Sequence, residues 1–144
     1  MEKKHVFELS SKYKRTIGTT LTHLDRVVCE FEEWAKGRQR RSVLYFESND
    51  LSSSQCEALL AQVVEIRELL SELKSAFGLQ EHVESVTQSI WSHCSSLWAT
   101  LSEIDSKHLK GYGDAVPGFA EYWAPRGAEI EAHLDLVLNI LRKR

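Results

Sequence analysis

Residues 52–78 read SSSQCEALLAQVVEIRELLSELKSAFG. Cys56, Leu59, Val63, Ile66, Leu70, Leu73 and Phe77 recur at steps of three and four. That spacing places one apolar side chain per turn on one face of a helix, and a strand has a period of two instead. Ser52 with Gln55, or Ser54 with Glu57, makes a capping box, in which each side chain satisfies the other residue's free backbone N–H. Gly78 supplies the stop. The segment predicts a helix over 53–77 that is apolar on one face only. Such a helix must bury that face against a neighbour.

Three neighbours can be read outward from it. Upstream, Val6, Tyr13, Ile17, Thr20, Leu24, Val27, Phe31 and Trp34 form a stripe that predicts a helix over 3–36, ended by Gly37. Gly18 lies inside it and costs about 1 kcal/mol relative to alanine. Downstream, Val83, Val86, Ile90, Cys94, Leu97, Leu101 and Ile104 predict a helix over 80–109, stopped at Gly111. The last, over 125–143, begins at Pro125, a residue favoured at the first helical position. It carries Ile130, Leu134, Val137, Leu138 and Leu141. The expected fold is all-α: one domain over 1–144, an up-down-up-down four-helix bundle with a long first helix and two longer connectors. The first connector contains Val43-Leu44-Tyr45-Phe46. A lone strand has nothing to pair with, so these residues are expected to tuck some side chains into the core.

Composition agrees. Of 144 residues, 42% are hydrophobic and 27% charged, and only seven Gly and two Pro punctuate the chain. That is too apolar for disorder and too sparse in turn residues for an all-β fold. No apolar run reaches the 18 residues a membrane span needs, and no secretory leader pattern follows Met1. Cys29, Cys56 and Cys94 are odd in number and far apart, so they build neither a disulfide framework nor a metal-binding pair. Reduced thiols in a cytoplasmic protein without membrane contact are expected.

Charge is unevenly placed. Residues 1–41 hold ten Lys+Arg and six Asp+Glu, a net of +4, and residues 42–144 hold eight and fifteen, a net of −7. Residues 85–102 carry no formal charge at all. A helix on the outside of a monomeric bundle normally shows charge to solvent. Here that face is serine and threonine, with Trp91 and Trp98 seven residues apart beside the main stripe. The last helix carries a surplus stripe too, Leu136 and Ile140. Two helices with apolar surface to spare point to a homo-oligomer, a dimer by preference, or to another helical protein as partner. Trp91, Trp98, Leu136 and Ile140 are the predicted interface.

A second reading uses the basic 36–41 segment. Lys36, Arg38, Arg40 and Arg41 would contact phosphates of a nucleic acid, with Tyr45 and Phe46 near enough to stack on bases. Overall acidity ranks this below association.

Chemistry finds little footing. A di-metal carboxylate bundle needs a Glu-x-x-His on each of two helices, and the chain does not carry that pair. Adjacent His93 and Cys94 project about 100° apart on a helix and do not chelate one ion. No metal or cofactor is implied. Arg126-(x)6-His133 at the start of the last helix is similar to the Arg-x4–6-His motif of the HEPN family of helical-bundle ribonucleases. That resemblance implies RNA cleavage by Arg126 and His133 of paired subunits. The polar residue usual after the arginine is Gly127 here, and Leu134 and Asp135 stand where a tyrosine is usual. The ranking is therefore a non-enzymatic accessory or adaptor protein first, a nucleic-acid binder second and a ribonuclease third. The aromatic connector 111–124 is expected to cap one end of the bundle.

Overall fold

Ser52 decides where the second long helix begins. Its hydroxyl accepts the Gln55 N–H at 3.1 Å, while the Gln55 side chain accepts the Ser52 N–H at 2.9 Å. Of the two capping boxes in the sequence, this one forms. The computed structural model describes the backbone of residues 7–114 and 116–142, and the side chains of all of these except Ser106 and Lys107. Its helices are α1 (Ser11–Ala35), α2 (Ser53–Ala76), α3 (Val86–Leu101), the single turn α4 (Ser106–Leu109) and α5 (Phe119–Arg142). A 3-10 turn, Lys110–Tyr112, follows α4. The chain is thus all-α with four long helices. The expected start of the first helix at Lys3, its stripe residue Val6, and Lys143 with Arg144 lie outside the described residues.

The chain divides into two compact units, 1–82 and 83–144. The first is an antiparallel pair, α1 against α2. All seven stripe residues of α2 are buried or half-buried, and Val63 is fully buried opposite the equally buried Val28 of α1. The α1 stripe needs correction. Tyr13, Thr20 and Leu24 are exposed, and Val28 and Ala35 form the core instead. Helix α1 also starts later than its stripe suggested. The Ser10 hydroxyl accepts the Tyr13 N–H at 3.2 Å, and this cap holds Ser10 in extended conformation. Phe7 then runs back over the end of α2. Its N–H donates to the Ala76 carbonyl at 2.7 Å, one of the carbonyls a helix end leaves unpaired. Across the pair, the Arg67 guanidinium donates twice to Glu32, at 2.6 and 3.2 Å. This two-pronged contact holds the Glu32 carboxyl below its ordinary value.

The second unit pairs α3 with α5. Both differ in extent from their sequence reading. Helix α3 begins at Val86, where Ser85 caps the Gln88 N–H at 3.2 Å, and ends at Leu101 instead of Leu109. Two side chains end it. The Ser102 hydroxyl bonds back to the Ala99 carbonyl at 2.7 Å, and Asp105 caps the next turn by accepting the His108 N–H at 2.8 Å. Short polar side chains of this kind compete with the helix for its own backbone groups. Helix α5 starts six residues before Pro125. Gly118 adopts φ +81°, a left-handed value that suits glycine, and its carbonyl accepts the Tyr122 N–H at 3.1 Å. Pro125 is therefore interior, and the bond it would donate to Glu121 is lost. Packing on either side of it offsets part of that loss. The Trp123 indole lies against Gly127 so closely that a Cβ there would meet it at 3.1 Å. Residues 119–124 of the aromatic connector thus belong to the start of α5.

Candidate association surface

A helix pair 62 residues long buries little. Cys94 of α3 and Gly127 of α5 are the buried residues of the second unit among those described. Every charged or polar choice on α3 follows from what that leaves outside. Ser89, Ser92, His93, Ser95, Ser96 and Thr100 are all exposed, so its solvent face is uncharged.

The residues of α5 separate into two faces, and on the outer one Tyr122, Leu136 and Ile140 are the aromatic or aliphatic members. Trp123, Gly127, Leu134, Val137 and Leu141 are buried or half-buried. Tyr122, Arg126, Glu129, His133, Leu136 and Ile140 are all exposed and recur at steps of four and three. That second set is a heptad-like seam with nothing on it among the described residues. Leu136 is 54% and Ile140 66% exposed. With Asn139 and Arg142 they line an open hollow of about 540 Å3.

The four predicted interface residues fall on the two helices of this one unit. Trp91 is half-buried, with the Arg142 guanidinium 5.4 Å from its ring centre, and Trp98 is 39% exposed. Leu97 and Val86 are open as well. The sequence pointed to Leu136 and Ile140 but missed that Tyr122, Arg126, Glu129 and His133 continue their stripe. The four-three spacing carries the signal, and a helix that begins at Pro125 cuts off its first member.

Arg126 and His133 are both exposed on that outer seam. The Arg126 guanidinium lies 3.6 Å from the Tyr122 ring centre and donates to the Tyr122 carbonyl at 2.8 Å. Among the described residues, no group of His, Cys, Asp and Glu has an arrangement that could hold a metal ion.

The basic segment is partly occupied by the fold. Arg38 pairs with Glu33, with Glu47 at 3.3 Å and with Glu30 at 3.9 Å, and lies 4.8 Å over the Trp34 ring. Lys36 reaches Glu32 at 3.8 Å, and Arg41 lies 4.9 Å over Phe46. The loop beyond it corrects the expectation of buried apolar residues. Arg41 and Phe46 form an isolated antiparallel bridge, and Ser42 N–H donates to Tyr45 O at 2.7 Å. The turn so closed projects Val43, 93% exposed, and Leu44, 99% exposed. Its base is held by Glu47, which accepts from the Arg40 N–H at 3.0 Å and the Trp34 indole at 3.1 Å, and by Asn49, which donates to the carbonyls of Trp34 and Arg38. These bonds, the Arg40 backbone N–H foremost, hold the Glu47 carboxyl at about 2.

No helix among the described residues is long and apolar enough to cross a membrane. Comparison of the chain with models of protein families, with curated proteins and with solved structures gives no match.

Proposed function

We propose that the protein is a non-enzymatic accessory or adaptor that works by protein–protein association, and that it pairs with a second copy of itself through α3 and α5. The exposed seam on α5 carries this reading. Leu136 and Ile140 sit on a face of regular heptad-like spacing, while the same unit buries almost nothing of its own. Area supports it. Two separate compact domains, each of half this chain's mass, would expose about 9,100 Å2 together. The chain exposes 12,207 Å2. Covering the apolar part of that surface favours association at roughly 25 cal/mol per Å2.

The chemistry of the seam suits a symmetric pair. In an antiparallel pairing, Leu136 of one copy faces Ile140 of the other, and the uncharged α3 brings no repulsion. Light scattering on the purified chain tests this. The expected particle has at least twice the monomer mass at micromolar concentration, and a monomer there overturns the reading.

A further inference from the structure

A second surface lies on the first unit, away from the α3–α5 pair in sequence and chemistry. After Gly78 (φ +61°) the chain turns, and Gln80, Glu81 and His82 line two hollows beside α1. The hollows measure about 560 and 320 Å3. They share Gly18, Thr22 and the 80–82 segment, so they form one groove. Their sizes fall within the range of small-molecule sites.

The two ends differ in character. Lys14, Arg15 and Arg26 line the smaller hollow alone. Lys14 and Arg15 make no ion pair among the described residues. The one carboxylate lining that hollow, Glu81, already faces Lys74 at 3.5 Å. Lys14 and Arg15 therefore leave positive charge without an ion-pair partner among those residues at this end. The larger hollow is mixed, with Leu21, Leu70 and Leu79 beside Ser71, Gln80 and Asp25. No Phe, Tyr or Trp lines either hollow, and His82 is the single ring-bearing side chain that lines both.

Gly18 is the second observation. Glycine inside a helix destabilises it relative to alanine. Packing does not require one here, because a Cβ at Gly18 would meet nothing within 4 Å. What the missing side chain leaves open is the floor shared by both hollows.

We infer that this groove binds a small phosphorylated molecule, with its phosphate at the Lys14–Arg15 end and its body in the larger hollow over Gly18. The exposed cations attract the phosphate, and the mixed wall accepts a hydroxyl-bearing body of moderate polarity.

Calorimetric titration of the full chain tests it with pyrophosphate, adenosine monophosphate, glucose 6-phosphate, their unphosphorylated counterparts adenosine and glucose, and a single-stranded RNA oligonucleotide. The expected result is saturable binding of at least one phosphorylated small probe. Its affinity should fall about tenfold or more in Lys14→Gln/Arg15→Gln and in Gly18→Leu, both with wild-type helical circular dichroism. Lys36→Gln/Arg40→Gln, away from the groove, should bind like wild type. The charge variant carries the test if Gly18→Leu does not fold. Absence of binding by all the phosphorylated small probes at millimolar concentration overturns the inference. So does binding indifferent to the groove substitutions, equal binding of adenosine or glucose, or binding of the RNA alone.

Discussion

The Trp34 indole N–H and the Glu47 carboxylate, thirteen residues apart, meet at 3.1 Å and close the base of the loop between α1 and α2. Arg38 lies over the same indole and reaches the same carboxylate, so one aromatic ring, one cation and one anion define the loop's conformation. Asn49 adds two bonds to backbone carbonyls of that base, at 2.8 and 2.9 Å.

This arrangement makes the loop acid-sensitive. Glu47 is held at about 2 in the fold, below its ordinary value. A depressed carboxyl contributes stability that is fully present above its unfolded value near 4.5 and is lost as pH falls toward 2. Glu47→Gln should therefore melt below wild type at pH 7. The two melting curves should converge as pH is lowered through about 4 to about 2. A difference that stays constant over that range contradicts the role given to Glu47.

The projecting turn makes the opposite prediction. Val43 and Leu44 are almost wholly exposed, so they contribute little to folding. Val43→Ser/Leu44→Ser should leave the melting free energy within about 0.5 kcal/mol of wild type. A loss of 2 kcal/mol or more would mean that the pair is covered by something.

Two glycines separate by sign. Gly18→Ala should stabilise the chain by up to about 1 kcal/mol, since the added methyl meets nothing and the helix gains propensity. Gly127→Ala should destabilise it, because the methyl would meet the Trp123 indole at 3.1 to 3.3 Å, and overpacking of this kind costs about 1–3 kcal/mol. Denaturant melts of the two single variants give both signs directly.

Association should respond to the outer seam of α5 and not to its inner stripe. Leu136→Lys/Ile140→Lys places charge on exposed positions, so it should keep wild-type helicity while shifting the particle to monomer mass. Leu134→Lys, on the half-buried stripe, should instead lose helicity. If the first variant keeps the wild-type mass, the seam is not the interface.

Helix α2 was legible to within one residue at each end. Its cap, its stripe and its glycine stop are all local, and all three agree. Surplus apolar residues on α5 and missing charge on α3, which motivate the proposed interface, were legible as well, since they are properties of the string itself. The groove was not. Lys14 and Arg15 are visible as basic residues, but nothing local says that Gln80–His82 will run beside them.

The amino-acid sequence determined by itself that this chain is helical, how many long helices it has and which face of α2 is apolar, because capping and period act within a few residues. Tertiary structure decided the rest. Asp105 and Ser102 break α3 where its stripe would have continued, and Trp123 packed on Gly127 carries α5 through a proline that was read as its start. Glu47, bonded to Trp34 and Arg40, holds four apolar residues out in solvent instead of in the core. In each case one or two side chains supply hydrogen bonds or a contact surface that local preference does not encode, and these interactions outweigh the period.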